Sequence, residues 1–240
     1  MGGEIYIGTS GWHYKHWLGV FYPEKMPARE MLAFYARHFR TVEVNNSFYQ
    51  LPDRATFSAW HESSPKGFLF AVKASRFITH MKKLKEPKAS SEKFFLRVEK
   101  LEEKLGPILF QLPPRWHLNL ERLDHFLQAL PKEHRYAFEF RDTSWLLKPV
   151  YDLLRKHNAA FCIYHLAGFQ TPLEITADFV YVRLHGPGGK YQGDYSRLQL
   201  KEWAQRVKEW REQSRTSYVY FDNDQAGLAV KNARELRAMI

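Results

Sequence analysis

Eight side chains combine the chemistry of proton transfer with that of anion binding: Glu43, Asn45, Lys73, Gln111, Glu139, Arg141, Arg183 and His185. Each lies at or just past the end of a short apolar run. Glu43 or Glu139 suits a general base, with His185 or Lys73 as the acid. Lys73, Arg141 and Arg183 set three cations against two carboxylates. Buried charge demands a partner, so the surplus calls for an anion. A plug of mutually paired charges with no ligand is the competing expectation. Trp12, Arg76 and His80 join the binding candidates from loops, and the last apolar run adds Asp222 or Asn223, either parity being open.

Positioning these residues requires a repeated strand–helix pattern, and the chain has one. Strands are expected at Ile5–Gly8, Thr41–Asn45, Phe68–Lys73, Ile108–Gln111, Tyr136–Arg141, Ala160–Tyr164, Phe179–His185 and Tyr218–Asp222. Helical periodicity falls between most of them. Leu200, Trp203, Val207 and Trp210 share one face, opened by a capping box at Ser196 and Gln199. Phe94, Val98, Leu101 and Leu105 repeat the pattern, with Gly106-Pro107 as its expected stop. Asn119 is placed to cap a helix bearing Leu123, Phe126, Leu127 and Leu130. The stretch 166–177 is too short and Pro-broken for a full helix. Such alternation implies parallel strands with helices outside, and eight repeats fit a single (β/α)8 TIM-type barrel, irregular between the sixth and seventh strands. No linker marks a second domain. In that architecture the working face is the C-terminal edge of the strands. Alternation puts Val42 and Val44 on one side with Glu43 and Asn45 on the other, and treats Phe138 against Glu139, or Val182 against Arg183, in the same way.

The loops add charge and rings. Between Lys73 and Lys88 six basic residues face one acid, a local +5 out of a formal +10 for the chain. Trp12, His13, Tyr14, Trp17, Phe21 and Tyr22 crowd the first loop, as a stacking surface for bases or sugars or as a packed lid. Gly186-Pro187-Gly188-Gly189-Lys190 follows the seventh strand, where phosphates often bind in this architecture, although it is no Walker A loop.

Other classes are excluded. Disorder conflicts with 45% hydrophobic and 16% aromatic residues. One cysteine, Cys162, rules out a disulfide framework and reads as a small buried residue. No G-x-G-x-x-G follows the first strand, and no H-E-x-x-H spacing occurs. Cations near Glu43, Glu139, His185 and Asp222 oppose a metal, so neither metal nor cofactor is expected. Without a secretory or membrane-spanning stretch, a cytoplasmic protein is expected.

Gly8-Thr9-Ser10-Gly11-Trp12, Glu43-Val44-Asn45 with Phe48-Tyr49 and Pro52, and Lys73-Ala74-Ser75-Arg76 with Thr79-His80 form a recognisable series. Gln111-Leu112-Pro113-Pro114, Glu139-Phe140-Arg141 with Ser144-Trp145, Arg183-Leu184-His185-Gly186 and Tyr218 to Asp224 continue it. Spanning nearly the whole chain, these motifs resemble the YecE-like family, known as domain of unknown function 72. The resemblance implies a TIM-type barrel and no defined activity. A likeness proposed between this fold and metal-dependent DNA-repair endonucleases implies nucleic acid as one ligand class, yet strand ends here hold too few His for a three-metal centre. Ile163-Tyr164-His165 stands where many relatives are expected to have an acid.

The leading expectation is an enzyme, hydrolase-like or otherwise acid–base, that binds an anionic, phosphate-bearing substrate in the barrel mouth. The alternative is a nucleic-acid-binding protein using the basic third loop and aromatic first loop.

Overall fold

The computed structural model describes residues 2–240. Two compact units emerge, each assembled from separated segments. The first comprises the chain up to Glu43, Ile163–Thr171 and Asp178–Ile240, and the second Val44–Cys162 and Pro172–Ala177.

In the first unit the parallel strands are β1 (Ile5–Thr9), β8 (Phe179–Leu184) and β9 (Thr216–Phe221), ordered β1-β9-β8. The ladders run from Ile5 opposite Ser217 to Thr9 opposite Phe221, and from Phe179 opposite Thr216 to Leu184 opposite Phe221. A parallel bridge between Ser10 and Glu43 attaches β2 (Thr41–Val44) at its end. The last residues of β6 (Ala160–Leu166) turn back through the two-residue strand β7 (Phe169–Gln170), antiparallel to it. Helices α1 (Met31–His38), α6 (Arg197–Glu212) and α7 (Leu228–Ala238) belong here. α6 buries Leu200, Trp203, Val207 and Trp210, the stripe its periodicity specifies, and its capping box is complete. Ser196→Ala removes the hydroxyl that accepts from Gln199 N. It should lower stability by about 1 kcal/mol, read as a shifted urea midpoint with unchanged slope.

The second unit holds β3 (Leu69–Lys73), β4 (Leu105–Leu112), β5 (Tyr136–Phe140) and the first residues of β6, all parallel and adjacent in that order. Its helices are α2 (Arg54–Ser63), α3 (Pro87–Val98), α4 (Leu120–Ala129) and α5 (Lys148–Lys156). Asn119 caps α4 by accepting from Arg122 N at 2.8 Å. The helix-facing side of this sheet is aromatic: Phe110 stacks on Phe138 at 5.2 Å and meets Phe126 of α4 edge-on at 5.0 Å. The opposite side of β4 and β5 is therefore the side of Gln111 and Glu139, which stand opposite each other in the ladder.

One expectation is corrected. Gly106-Pro107 does not stop a helix; α3 ends at Val98, a 3-10 stretch follows, and both residues lie inside β4. The ladder advances two residues on β3, Phe70 to Val72, against three on β4, Leu105 to Ile108. Pro107, which has no N–H to give, sits in that irregularity, the place where a strand tolerates proline. An added Cβ at Gly106 would meet Phe70 O at 3.2 Å, a tight contact that the glycine avoids.

Candidate functional site

At the strand ends of the first unit the side chains form one network around Arg183. Alternation along β8 puts Tyr181 and Arg183 on the same side, and both reach Glu43. Arg183 Nη2 donates to Glu43 Oε1 at 2.7 Å, and Nε to Oε2 at 3.0 Å. Ser10 Oγ donates to Oε1 at 2.5 Å and Tyr181 OH to Oε2 at 2.7 Å. Arg183 Nη2 also donates to Asp222 Oδ2 at 3.0 Å. Glu43, Arg183 and His185 are wholly enclosed. Burial, then the Glu43 charge, pushes the Tyr181 phenol far up, so it stays a donor.

This arrangement changes two expected roles. Arg183, expected to bind an external anion, is shared by two carboxylates. Glu43, expected as a base, accepts from a guanidinium, a serine and a tyrosine, which leaves it a counter-ion. Counting Arg183, Glu43 and Asp222, the network is formally negative by one. Tyr14, whose OH donates to Ser10 O at 2.6 Å, senses that field. Burial raises its phenol most, and Asp222, Asp224 and Glu43 raise it further against Arg183.

His185 Nδ1 lies 2.9 Å from Asp222 Oδ2, and Nε2 lies 3.4 Å from Arg183 Nη1. Arginine only donates and a carboxylate only accepts, so the consistent tautomer is a neutral ring with the proton on Nδ1. The ring of Tyr191 covers it edge-on at 5.4 Å. Tyr191 belongs to the glycine-rich loop, whose Gly186 N donates to Tyr195 OH at 3.1 Å. His165, standing where an acid was expected, bonds the same hydroxyl at 3.0 Å through Nδ1.

The open parity of the last strand is settled for Asp222. Asn223 turns away: its Nδ2 donates to Gly193 O at 2.9 Å and Asn232 Oδ1 at 2.8 Å, leaving its buried Oδ1 without a hydrogen-bond partner. Next to it, Asp224 accepts from Trp17 Nε1 at 2.6 Å and faces His16 Nε2 at 2.9 Å. Burial pushes this carboxyl up to about 6. The aromatic first loop is a packed cluster. Trp12, Trp17 and Tyr22 are buried, and Tyr22 OH donates to Trp12 O at 2.5 Å, so these rings present no free faces for stacking.

The second unit holds the cationic group. Lys73, at the end of β3, is buried with Nζ 4.2 Å from the centroid of the Phe48 ring, a cation–π geometry. Its carbonyl accepts from Ser47 Oγ at 2.6 Å. His80 meets Phe48 edge-on at 4.9 Å and bonds Thr79 Oγ1 at 2.9 Å through Nδ1. Burial, then the charges of Lys73 and Arg76, push His80 down to about 4, so it is neutral at pH 7. Arg76 is exposed, as are Lys83, Lys85 and Lys88. Glu139 is enclosed and accepts from Arg141 Nε, with Cys162 Sγ at 3.8 Å from its other oxygen. Asn45 Oδ1 and Gln111 Oε1 are buried acceptors with no hydrogen-bond partner.

For metal binding, among the described residues, His61 with Glu102 and Glu103, and His134 with Glu99 and Glu133, each gather three ligand atoms within 4.8 Å. Ser10 and Tyr181 were missed as site residues. The signals were present: Ser10 follows a strand end between glycines, and Tyr181 shares the parity of Arg183.

Parallel strands alternating with helices define an α/β protein of the TIM-barrel class. The family described as "Protein of unknown function DUF72" matches residues 6–240, and the chain belongs to it. A solved DUF72 family protein from Thermotoga maritima is 30% identical, covers 98% of each chain and superposes with a TM-score of 0.88. One from Enterococcus faecalis, 18% identical with a TM-score of 0.81 over 98% of this chain and 94% of that one, shares the fold. Among curated relatives, the UPF0759 protein YunF of Bacillus subtilis is 27% identical over 98% of this chain and 94% of its own length. The UPF0759 protein YecE of Escherichia coli is 33% identical over 60% of this chain and 51% of its own. No helix among the described residues is long and apolar enough to cross a membrane.

Proposed function

We propose that the chain is an enzyme acting on a phosphate-bearing small molecule, and that Lys73 and Arg76, at and just past the end of β3, supply its phosphate-binding charge. The observation behind this reading is the cluster of buried Lys73 and half-buried His80, both in contact with the Phe48 ring, where burial and then Lys73 and Arg76 hold His80 down to about 4. A neutral imidazole beside a fixed positive field accepts no further cation and favours an anion. The buried acceptors of Asn45 and Gln111 support a ligand with hydroxyl or amide donors, since an unsatisfied buried acceptor costs about 1–3 kcal/mol. Within the first unit, His185, whose Nδ1 is held by Asp222, is the separate candidate for proton transfer. Glu43 and Glu139 serve as counter-ions to Arg183 and Arg141.

Titrating the His80 ring by NMR with inorganic phosphate tests the binding step. Phosphate should raise the His80 pKa from its low value, and the double variant Lys73→Met/Arg76→Gln should abolish the response. An unresponsive His80 in the unaltered protein defeats the reading. A nucleic-acid ligand is the alternative outcome: DNA would then move His80 with a log–log salt slope of about −0.7 to −0.9 per phosphate contact. The packing of the first-loop rings favours the small molecule.

A further inference from the structure

A cavity of about 390 Å³ in the first unit opens at the N-terminal end of β1, away from Glu43 and Arg183. Its size lies within the range of small-molecule sites. Four guanidinium groups line it: Arg37 from the last turn of α1, Arg40 just beyond, Arg211 from the end of α6 and Arg237 from the end of α7. Glu4 is the acid on its wall.

Basic residues in the last turn of a helix commonly answer its dipole, so position alone decides nothing. The bonding separates the four. Arg237 donates to the His38 carbonyl, and Arg40 lies 3.3 Å from Glu4. Arg37 and Arg211 make no side-chain hydrogen bond or ion pair among the described residues, so two guanidinium groups border the cavity with no counter-ion. His38, also on the wall, lies in the same field: burial and then Arg234, Arg237 and Arg37 hold its pKa below the ordinary 6.5. The remaining wall includes the half-buried Ile5, Ala36 and Ile240. An inorganic ion would leave that apolar surface uncovered.

We infer that this cavity is a binding site for a small organic phosphate, its phosphate on Arg37 and Arg211 and its apolar body on Ile5, Ala36 and Ile240. Planar guanidinium groups match phosphate oxygens in pairs, which suits them to this ligand better than lysines would be. The site is independent of the phosphate-binding group assigned at β3.

Phenyl phosphate is the probe, followed through the His38 ring by NMR, with His38→Gln fixing the assignment. Binding should raise the His38 pKa toward its ordinary value, in the unaltered protein and equally in Lys73→Met/Arg76→Gln. In Arg37→Gln/Arg211→Gln, both exposed positions whose change should leave the fold intact, the affinity should fall about tenfold or more. A motionless His38, or a double variant that binds as the unaltered protein does, overturns the site. Equal affinity for inorganic phosphate overturns the role of the apolar wall.

Discussion

Arg183→Ala should destabilise the protein by about 3–5 kcal/mol, the range for breaking a buried ion pair from one side. Glu43 would be left fully enclosed with only Ser10 and Tyr181 as donors, and Asp222 would lose its guanidinium. Urea unfolding reads the effect as a large drop in midpoint. The cost arises from the abandoned carboxylate more than from the missing arginine. Arg183→Met/Glu43→Met should therefore recover much of the loss, because neither charge is then stranded. A single variant within about 0.5 kcal/mol of the unaltered protein, the span of ordinary surface changes, would contradict this account.

His185→Gln should have the second large effect, on activity rather than stability. If His185 moves the proton, its loss removes a general acid–base contribution of about 10²- to 10⁴-fold in turnover. Glutamine keeps an N–H donor for Asp222, so the unfolding midpoint should stay close to its original value. The assay is a panel of phosphate esters, beginning with p-nitrophenyl phosphate and its bis-ester. Undiminished turnover in His185→Gln would make the residue structural. Before Nε2 meets a substrate, Tyr191 must move off the imidazole and Arg183 Nη1, 3.4 Å from Nε2, must yield its place.

Strand positions were legible because apolar alternation is a local property of the chain. The side of each strand was legible too: Phe110 and Phe138 stack beneath α4 while Gln111 and Glu139 take the other side. Ser196 and Asn119 announced their helices through capping chemistry confined to four residues. Gly106-Pro107 misled because the same residues that stop helices also mark a strand irregularity, and only the register of β3 distinguishes the two. In the site, parity identified which residues share a face and left their partners open. Arg183 looked like a spare cation until Glu43, 140 residues away in sequence, and Asp222 were both found on it. The first-loop aromatics looked available for stacking because a run of rings has the same composition whether packed or open.

The glycine-rich loop has a consequence for how the sequence can drift. Gly186 adopts φ +117°, and an added Cβ would lie 2.1 Å from Gln192 O. Gly193, at φ +92°, would bring a Cβ within 2.9 Å of Gly188 N. Two strands of backbone thus press on each other with no room for a side chain between them. Substitution at either glycine forces a change in the length or path of the whole stretch. Among relatives these positions should be inherited together, or lost together with an insertion, so that the cover over His185 is exchanged as one block while the strand beneath it changes residue by residue.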